Sequence, residues 1–250
     1  MVMLCLFDVP FTATHVDSII QEITKKPVYQ GLFTTFINPH TFYLVQQDPE
    51  YRQMLSQFDM VLPDGVAVQK AAEYFLKNDG KKISCERISF DTTSLAMPIF
   101  EWAQKENKKI IFVGGKPGVT KQASDQITKS FPDLQIIATL DGYQSKQNLV
   151  THIIDAKADI VICGMGAPHQ EKLLLMLKEK NWHGIGFTCG GYFDQLINGL
   201  HYYPAWVDRF NIRFLYRLFK EPKRLWRRYL VEYRVFLGHC IKNFVNKLTR

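Results

Sequence analysis

From residue 109 onward the chain alternates between two textures. Short continuous apolar runs, "KIIFVGG", "LQIIATLDGY", "DIVICGMGAPHQ" and "HGIGFTCGG", each end in small or turn-forming residues. Between them lie "VTKQASDQITKSF", "NLVTHIIDAKA" and "EKLLLMLKEK", whose apolar positions recur at helical spacing. A short apolar run without polar alternation fits a strand covered on both faces, and strands alternating with helices fit a parallel sheet with right-handed crossovers. Upstream, "LFTTFIN" and "FDMVLP" read as strands. "TFYLVQQDPEYRQMLSQ" reads as a helix interrupted at Pro49, and "GVAVQKAAEYFLKN" as another helix. The pattern predicts an α/β fold over residues 1–195, a Rossmann-like, mostly parallel sheet flanked by helices. Beyond about 195 the texture turns aromatic and arginine-rich. There "YRLFKEPKRLWRRYLVEYRVF" reads as two helices meeting at Pro222, so residues 196–250 are expected to form a basic helical appendage.

Charge sharpens that division. The net +7 is unevenly held: residues 209–250 carry 12 Lys/Arg against two acids, whereas the other 208 carry 19 against 22. A mildly acidic body thus bears a strongly basic tail, in which Phe210, Phe214, Phe219, Trp226, Tyr229, Tyr233 and Phe236 interleave with the cations. Such interleaving suits an anionic membrane surface, where each basic residue contributes on the order of 1 kcal/mol, and an aromatic stripe also suits packing on the body. The five cysteines are scattered without CxxC or Cys/His pairing, which argues against a zinc site or a disulfide framework and fits a reducing cytoplasm. No basic leader opens the sequence, and no run approaches the roughly 18 apolar residues of a membrane span. The expected location is cytoplasmic, with peripheral attachment to the inner face of the membrane.

In an open parallel sheet, ligands bind beyond the carboxyl ends of the strands. Five such places read Asn38-Pro39-His40, Pro63-Asp64-Gly65, Gly114-Gly115-Lys116-Pro117-Gly118, Gly164 to Gln170, and Gly190 to Asp194, and their small residues and polar tips suggest one crevice. Gly114, Gly115 and Gly118 could let backbone N–H groups approach a phosphate at a helix N-terminus, or simply form a strand-to-helix turn. Gly166 leaves space where His169 and Gln170 could point at a ligand, while His169 could equally be a surface cap. Asp64 has two readings: a turn or helix N-cap carboxylate, or a general base held at a strand end. GxSxG, HExxH and DxD are all absent, so no metal site is expected.

Taken together, "NPH", "LPDGVAV", "ERISFD", "IFVGGKPGV", "DGY", "GMGAPHQEK", "GGYFDQLING" and "LYRLFKEPKRLWRRY" resemble, in order, the pattern of the WecG/TagA/CpsF glycosyltransferases over about residues 30–235. The resemblance implies an inverting transfer of an N-acetylmannosamine-type sugar or related hexose from a UDP donor to a polyprenyl-diphosphate-linked acceptor, in surface-polysaccharide assembly and without an essential metal or other cofactor. It implies Asp64 as general base, Asn38 and Arg87 in the active site, and Gln170 on the donor sugar or diphosphate. It also implies Arg217, Arg224 and Arg228 as basic groups of a C-terminal segment that folds over the site.

Departures from the family pattern occur at Phe36, where a threonine is usual, within Arg87-Ile88-Ser89-Phe90-Asp91, at Tyr202-Tyr203-Pro204, and at Arg213-Phe214 in place of Glu-Trp. They bear on sugar identity more than on the reaction. Two rival readings are a nucleic-acid-binding protein gripping phosphates with the basic aromatic tail, and a dinucleotide-dependent oxidoreductase. The first gives no reason for Asp64, Asn38 and Gln170 to converge, so nucleic acid is not an expected partner. The second lacks GxGxxG and its acidic ribose reader.

Overall fold

The computed structural model describes residues 2–25, 31–200, 202–210 and 212–249. The chain opens with an antiparallel hairpin, β1 (Val2–Leu6) and β2 (Val9–Ala13), turned by Phe7 and Asp8 in the left-handed region. Two-residue strands β5 (Lys77–Asn78) and β6 (Lys81–Lys82) form a small exposed ribbon. All remaining strands form one parallel sheet: β3 (Leu32–Ile37), β4 (Met60–Pro63), β7 (Ile110–Gly114), β8 (Ile136–Leu140), β9 (Ile160–Gly164) and β10 (Ile185–Thr188). Their spatial order is β4-β3-β10-β9-β7-β8.

The continuous apolar runs follow from burial on both faces. Ile111, Val113, Val161 and Cys163 enter one core with Phe33, Ile37 and Leu173, while Ile110, Phe112, Ile160, Ile162 and Phe187 enter the other with Phe100 and Phe193. The strand period of two sends neighbours along each strand into opposite layers. Pro63 ends β4, which lies at the border of this sheet, where a missing N–H disturbs no ladder between two strands; its carbonyl accepts the Ile88 N–H at 2.9 Å.

Downstream of the sheet the chain is helical over Ala205–Arg209, Arg213–Lys220 and Pro222–Arg227. A π-helical turn at Arg228–Glu232 then leads into a helix over Tyr233–Leu248. The break at Glu221–Pro222 falls where the proline predicts it, but the π turn leaves no signature in the residue pattern. The last helix lies against the helix Pro39–Gln47, with Phe236 buried among Phe42 and Phe7. Leu225 and Val207 are also buried. Part of the aromatic stripe is therefore core, whereas Trp206, Phe210, Phe214, Phe219, Trp226, Leu230, Leu237 and Ile241 stay exposed. Among the described residues no helix is long and apolar enough to cross a membrane.

Candidate active site

The sequence-predicted residues all lie along the carboxyl edge of the sheet or on the appendage above it, but the strand order separates them into groups instead of one tight crevice. Asn38 and Asp64 follow the neighbouring strands β3 and β4. The glycine segments follow β7 and β9, which lie roughly 14 to 19 Å from β4 at a strand spacing of about 4.8 Å. Gly190 and Gly191 follow β10, between the two groups.

At the Asp64 end, the backbone N–H of Asp64 donates to the Ile37 carbonyl at 2.8 Å, which ties the strand tip to β3. The helix Val66–Phe75 begins at Gly65, whose φ of 104° is open to glycine and costly for other residues, and no side chain caps it. The N-cap reading of Asp64 is thereby removed: its half-buried carboxylate forms no hydrogen bond or ion pair with any described residue. Burial raises its pKa above the ordinary aspartate value, and the charge of Asp91 adds to this, against the opposing pull of Arg87, Arg217 and Arg213. A carboxylate left unpaired with a raised pKa is suited to accept a proton.

Asn38 is the N-cap of the helix Pro39–Gln47. Its Oδ1 accepts from the His40 N–H at 3.0 Å, and Thr41 Oγ1 accepts the Asn38 N–H at 3.1 Å in a capping box. Its amide nitrogen takes no part in the cap. His40 lies 2.8 Å from Glu232 of the π turn but without the alignment of a hydrogen bond. Burial and the charge of Arg228 push its pKa down to about 4, so the imidazole is neutral at physiological pH.

Arg87 is committed to the body. It donates to Ser89 Oγ at 2.8 Å and to Thr93 Oγ1 at 3.1 Å, and pairs with Asp91 at 3.4 Å. Arg217 is different. It has no carboxylate within ion-pair distance among the described residues, and its Nε is buried without a partner. Burial works against its charge, and the carboxylates of Glu221 and Asp64 favour it. A Cβ placed on Gly191 would meet Arg217 Nη2 at 3.4 Å and Arg224 Nη2 at 3.9 Å, so the two guanidinium groups converge over this glycine. Arg224 pairs with Glu221 and lies 4.0 Å from Asp194. Arg228, on the π turn, makes no ion pair among the described residues.

The glycine end is built mainly from backbone. The chain leaves β9 toward β10 and leaves β7 toward β8, so connections diverge between the tips of β7 and β9, the position of a ligand crevice in open α/β sheets. Gly114 is required by packing: a Cβ there would lie 2.4 Å from the Gly164 carbonyl oxygen. Gly115, whose N–H donates to that carbonyl at 3.2 Å, is closed in by Val119. By contrast Gly166 (φ 76°) would present a side chain to open space, and Gly118 (φ 87°) meets only the tip of Gln122. These two border the crevice, while Gly114 and Gly115 hold its walls together.

His169 is exposed at the start of the helix His169–Glu179, and burial together with Lys146 and Lys172 lowers its pKa. Gln170 is turned inward. Its Nε2 donates to Glu171 Oε1 at 3.0 Å and its Oε1 accepts the Gly190 N–H at 3.2 Å. Glu171 in turn accepts from Thr35 Oγ1, which lies 3.0 Å from Thr188 Oγ1. Gln170 therefore positions the glycine loop after β10.

The description of a matching family, "Glycosyl transferase WecG/TagA/CpsF family", applies over residues 4–250. This protein belongs to the WecG/TagA/CpsF glycosyl transferases. A relative from Shigella boydii, 33% identical over 86% of this chain and 87% of its own length, is named UDP-Gal:alpha-D-GlcNAc-diphosphoundecaprenol beta-1,4-galactosyltransferase. Two others are each named N-acetylglucosaminyldiphosphoundecaprenol N-acetyl-beta-D-mannosaminyltransferase. The protein from Bacillus subtilis (strain 168) is 27% identical over 90% of this chain and 86% of its own, and that from Bacillus spizizenii 28% over 84% and 79%.

Within this WecG/TagA/CpsF protein, residue-by-residue reading missed Tyr203, Tyr229 and Tyr233 as neighbours of Asp64. Burial raises all three hydroxyl pKa values, and Asp64 contributes to each. It also missed Asp91 as a hub and Arg213 as its partner. Helical spacing offered one signal, since Arg213 precedes Arg217 by one turn.

Proposed function

We propose that this glycosyl transferase moves a hexose, galactose or N-acetylmannosamine, from a UDP donor to N-acetylglucosaminyl-diphosphate-polyprenol with inversion at the anomeric carbon. The observation that carries the reading is the unpaired carboxylate of Asp64 within electrostatic reach of the unpaired guanidinium of Arg217. The acceptor named for all three relatives supports the acceptor class, and the β linkage in their names, set against the α-linked sugar of a UDP-hexose, supports inversion.

The order of groups along the sheet edge matches the order of parts in a UDP-sugar. Hexose would lie by Asp64 and Asn38 beyond β4 and β3, diphosphate under Arg217 and Arg224 at Gly191 beyond β10, and nucleoside in the crevice bordered by Gly166 and Gly118 beyond β9 and β7. The acceptor hydroxyl gives its proton to Asp64 as its oxygen bonds to the anomeric carbon. The bond from that carbon to the diphosphate breaks, UDP keeps the electron pair, and the arginines stabilise the charge that develops on it. This scheme assigns leaving-group stabilisation to guanidinium groups, with no metal and no further cofactor. Arginine suits the task because its planar fork binds phosphate oxygens in pairs.

The appendage is read as the membrane-contacting face, at the inner surface of the cell membrane. Its exposed Phe210, Phe214, Phe219, Trp226 and Leu230 would lie at the headgroup boundary, bringing the site to an acceptor held by its lipid. The test is transfer from UDP-galactose and UDP-N-acetylmannosamine to a short-chain GlcNAc-diphosphate lipid, with HPLC detection of product and UDP. Product from the wild-type chain and its loss in a folded Asp64→Asn protein are expected. Full turnover by that variant would remove Asp64 as the base.

A further inference from the structure

We propose that Arg213, locked onto Asp91, is a positioning residue that sets Arg217 against Asp64 and the departing diphosphate. This rests on the roles given above to Asp64 and Arg217. Arg213 lies in the helix Arg213–Lys220, one turn before Arg217, and the geometry fixes it from several sides. Its Nη1 donates to Asp91 Oδ2 at 2.9 Å, its Nη2 to Thr93 Oγ1 at 2.8 Å, and its Nε to Asp208 Oδ1. Its guanidinium carbon lies 4.7 Å from the centre of the Tyr203 ring. Contacts on three nitrogens and one face define the helix both in position and in rotation about its axis.

The receiving group is equally committed. Asp91 Oδ2 accepts from Ser89 Oγ at 2.6 Å as well as from Arg213, with Arg87 Nη1 at 3.4 Å, while Oδ1 accepts from the N–H and Oγ1 of Thr93 at 2.8 and 2.7 Å. Five donors on a group with about four lone-pair sites leave it no capacity to serve a substrate hydroxyl. Burial alone would raise the Asp91 pKa, but Arg87, Arg213 and the Ser89 and Thr93 hydroxyls hold it below the ordinary carboxylate range, so the clasp is ionic at any working pH. Asp91 thus joins Arg87 of the body to Arg213 of the appendage across 122 residues of sequence.

The test compares full-length Arg213→Gln, Arg213→Lys, Arg217→Gln and the Arg213→Gln/Arg217→Gln double variant with the wild type, using UDP-hexose and a short-chain lipid acceptor. Arg213→Gln is expected to lower kcat about 30- to 100-fold with donor KM changed less than about threefold, and Arg213→Lys to recover part of the loss. The double variant should turn over no more slowly than Arg217→Gln alone, because one residue acts through the other. Losses that multiply, or a rise in donor KM at constant kcat, would overturn the proposal. Limited proteolysis supplies a readout independent of turnover: cleavage within 205–220 should quicken about tenfold, and to a similar degree, in Arg213→Gln and Asp91→Asn. Unchanged cleavage in both would equally overturn it. If the wild-type chain transfers neither sugar, the functional reading fails while proteolysis still decides the clasp.

Discussion

The two ends of the sheet's carboxyl edge are built on opposite principles. The β9–β7 end is a backbone construction: glycines let two strand tips approach, and a Cβ at Gly166 or Gly118 would meet no close neighbour. At the β4–β3 end the site is a side-chain construction, in which a lone carboxylate is surrounded by arginines and tyrosines contributed largely by residues 203–233. The first end is complete within consecutive strand-turn-helix units. The second exists only once the appendage has folded back, so the surroundings of Asp64 depend on tertiary docking as well as on the sheet.

The largest effect that would sharpen this contrast is loss of the base. Asp64→Asn is expected to lower kcat about 10²- to 10⁴-fold in steady-state transfer assays, with donor affinity by calorimetry changed little. Next comes Arg217→Gln, at about 10²-fold in kcat, since it removes one preorganised donor to the leaving group. Substitutions at the backbone end should act through stability. Gly114→Ala forces a Cβ against the Gly164 carbonyl and is expected to cost about 3 kcal/mol in urea unfolding. Gly166→Ala meets no neighbour and should cost only about 1 kcal/mol, from its positive φ.

The smallest effect concerns sign. Because burial raises the Asp64 pKa in the folded state, ionising it works against the fold, and this penalty develops as pH climbs from the ordinary aspartate value through the raised one. At neutral pH Asp64→Asn should therefore raise the thermal midpoint while lowering turnover. A lowered midpoint would show that the carboxylate stabilises the fold and would blur the distinction between the two ends.

The same contrast explains what could be read from residues alone. The β7 to β10 half was legible because continuous apolar runs, glycine tips and helical spacing are local signals. The hairpin β1–β2 escaped notice because two five-residue strands joined by Phe7 and Asp8 carry no glycine turn. Asn38 was found as a polar tip at a strand end, although the spacing of Asn38 and Thr41 also spells the capping box it forms. Gln170 was expected at the ligand, yet its amide faces Glu171 and Gly190, since the helix turns this position inward. The pairing of Asp91 with Arg213 had no local trace, because hydrogen bonds between distant segments depend on how the appendage docks.

The appendage's exposed Phe219 stands on the same short helix as Arg217, and exposed Trp226 on the same short helix as Arg224, the two arginines that meet over Gly191. Anyone seeking a better-behaved preparation by trimming the carboxyl-terminal segment would discard both guanidinium groups over Gly191 along with its greasy exterior. Replacing those outer residues one at a time with polar ones offers a route to higher solubility that keeps both guanidinium groups in the chain.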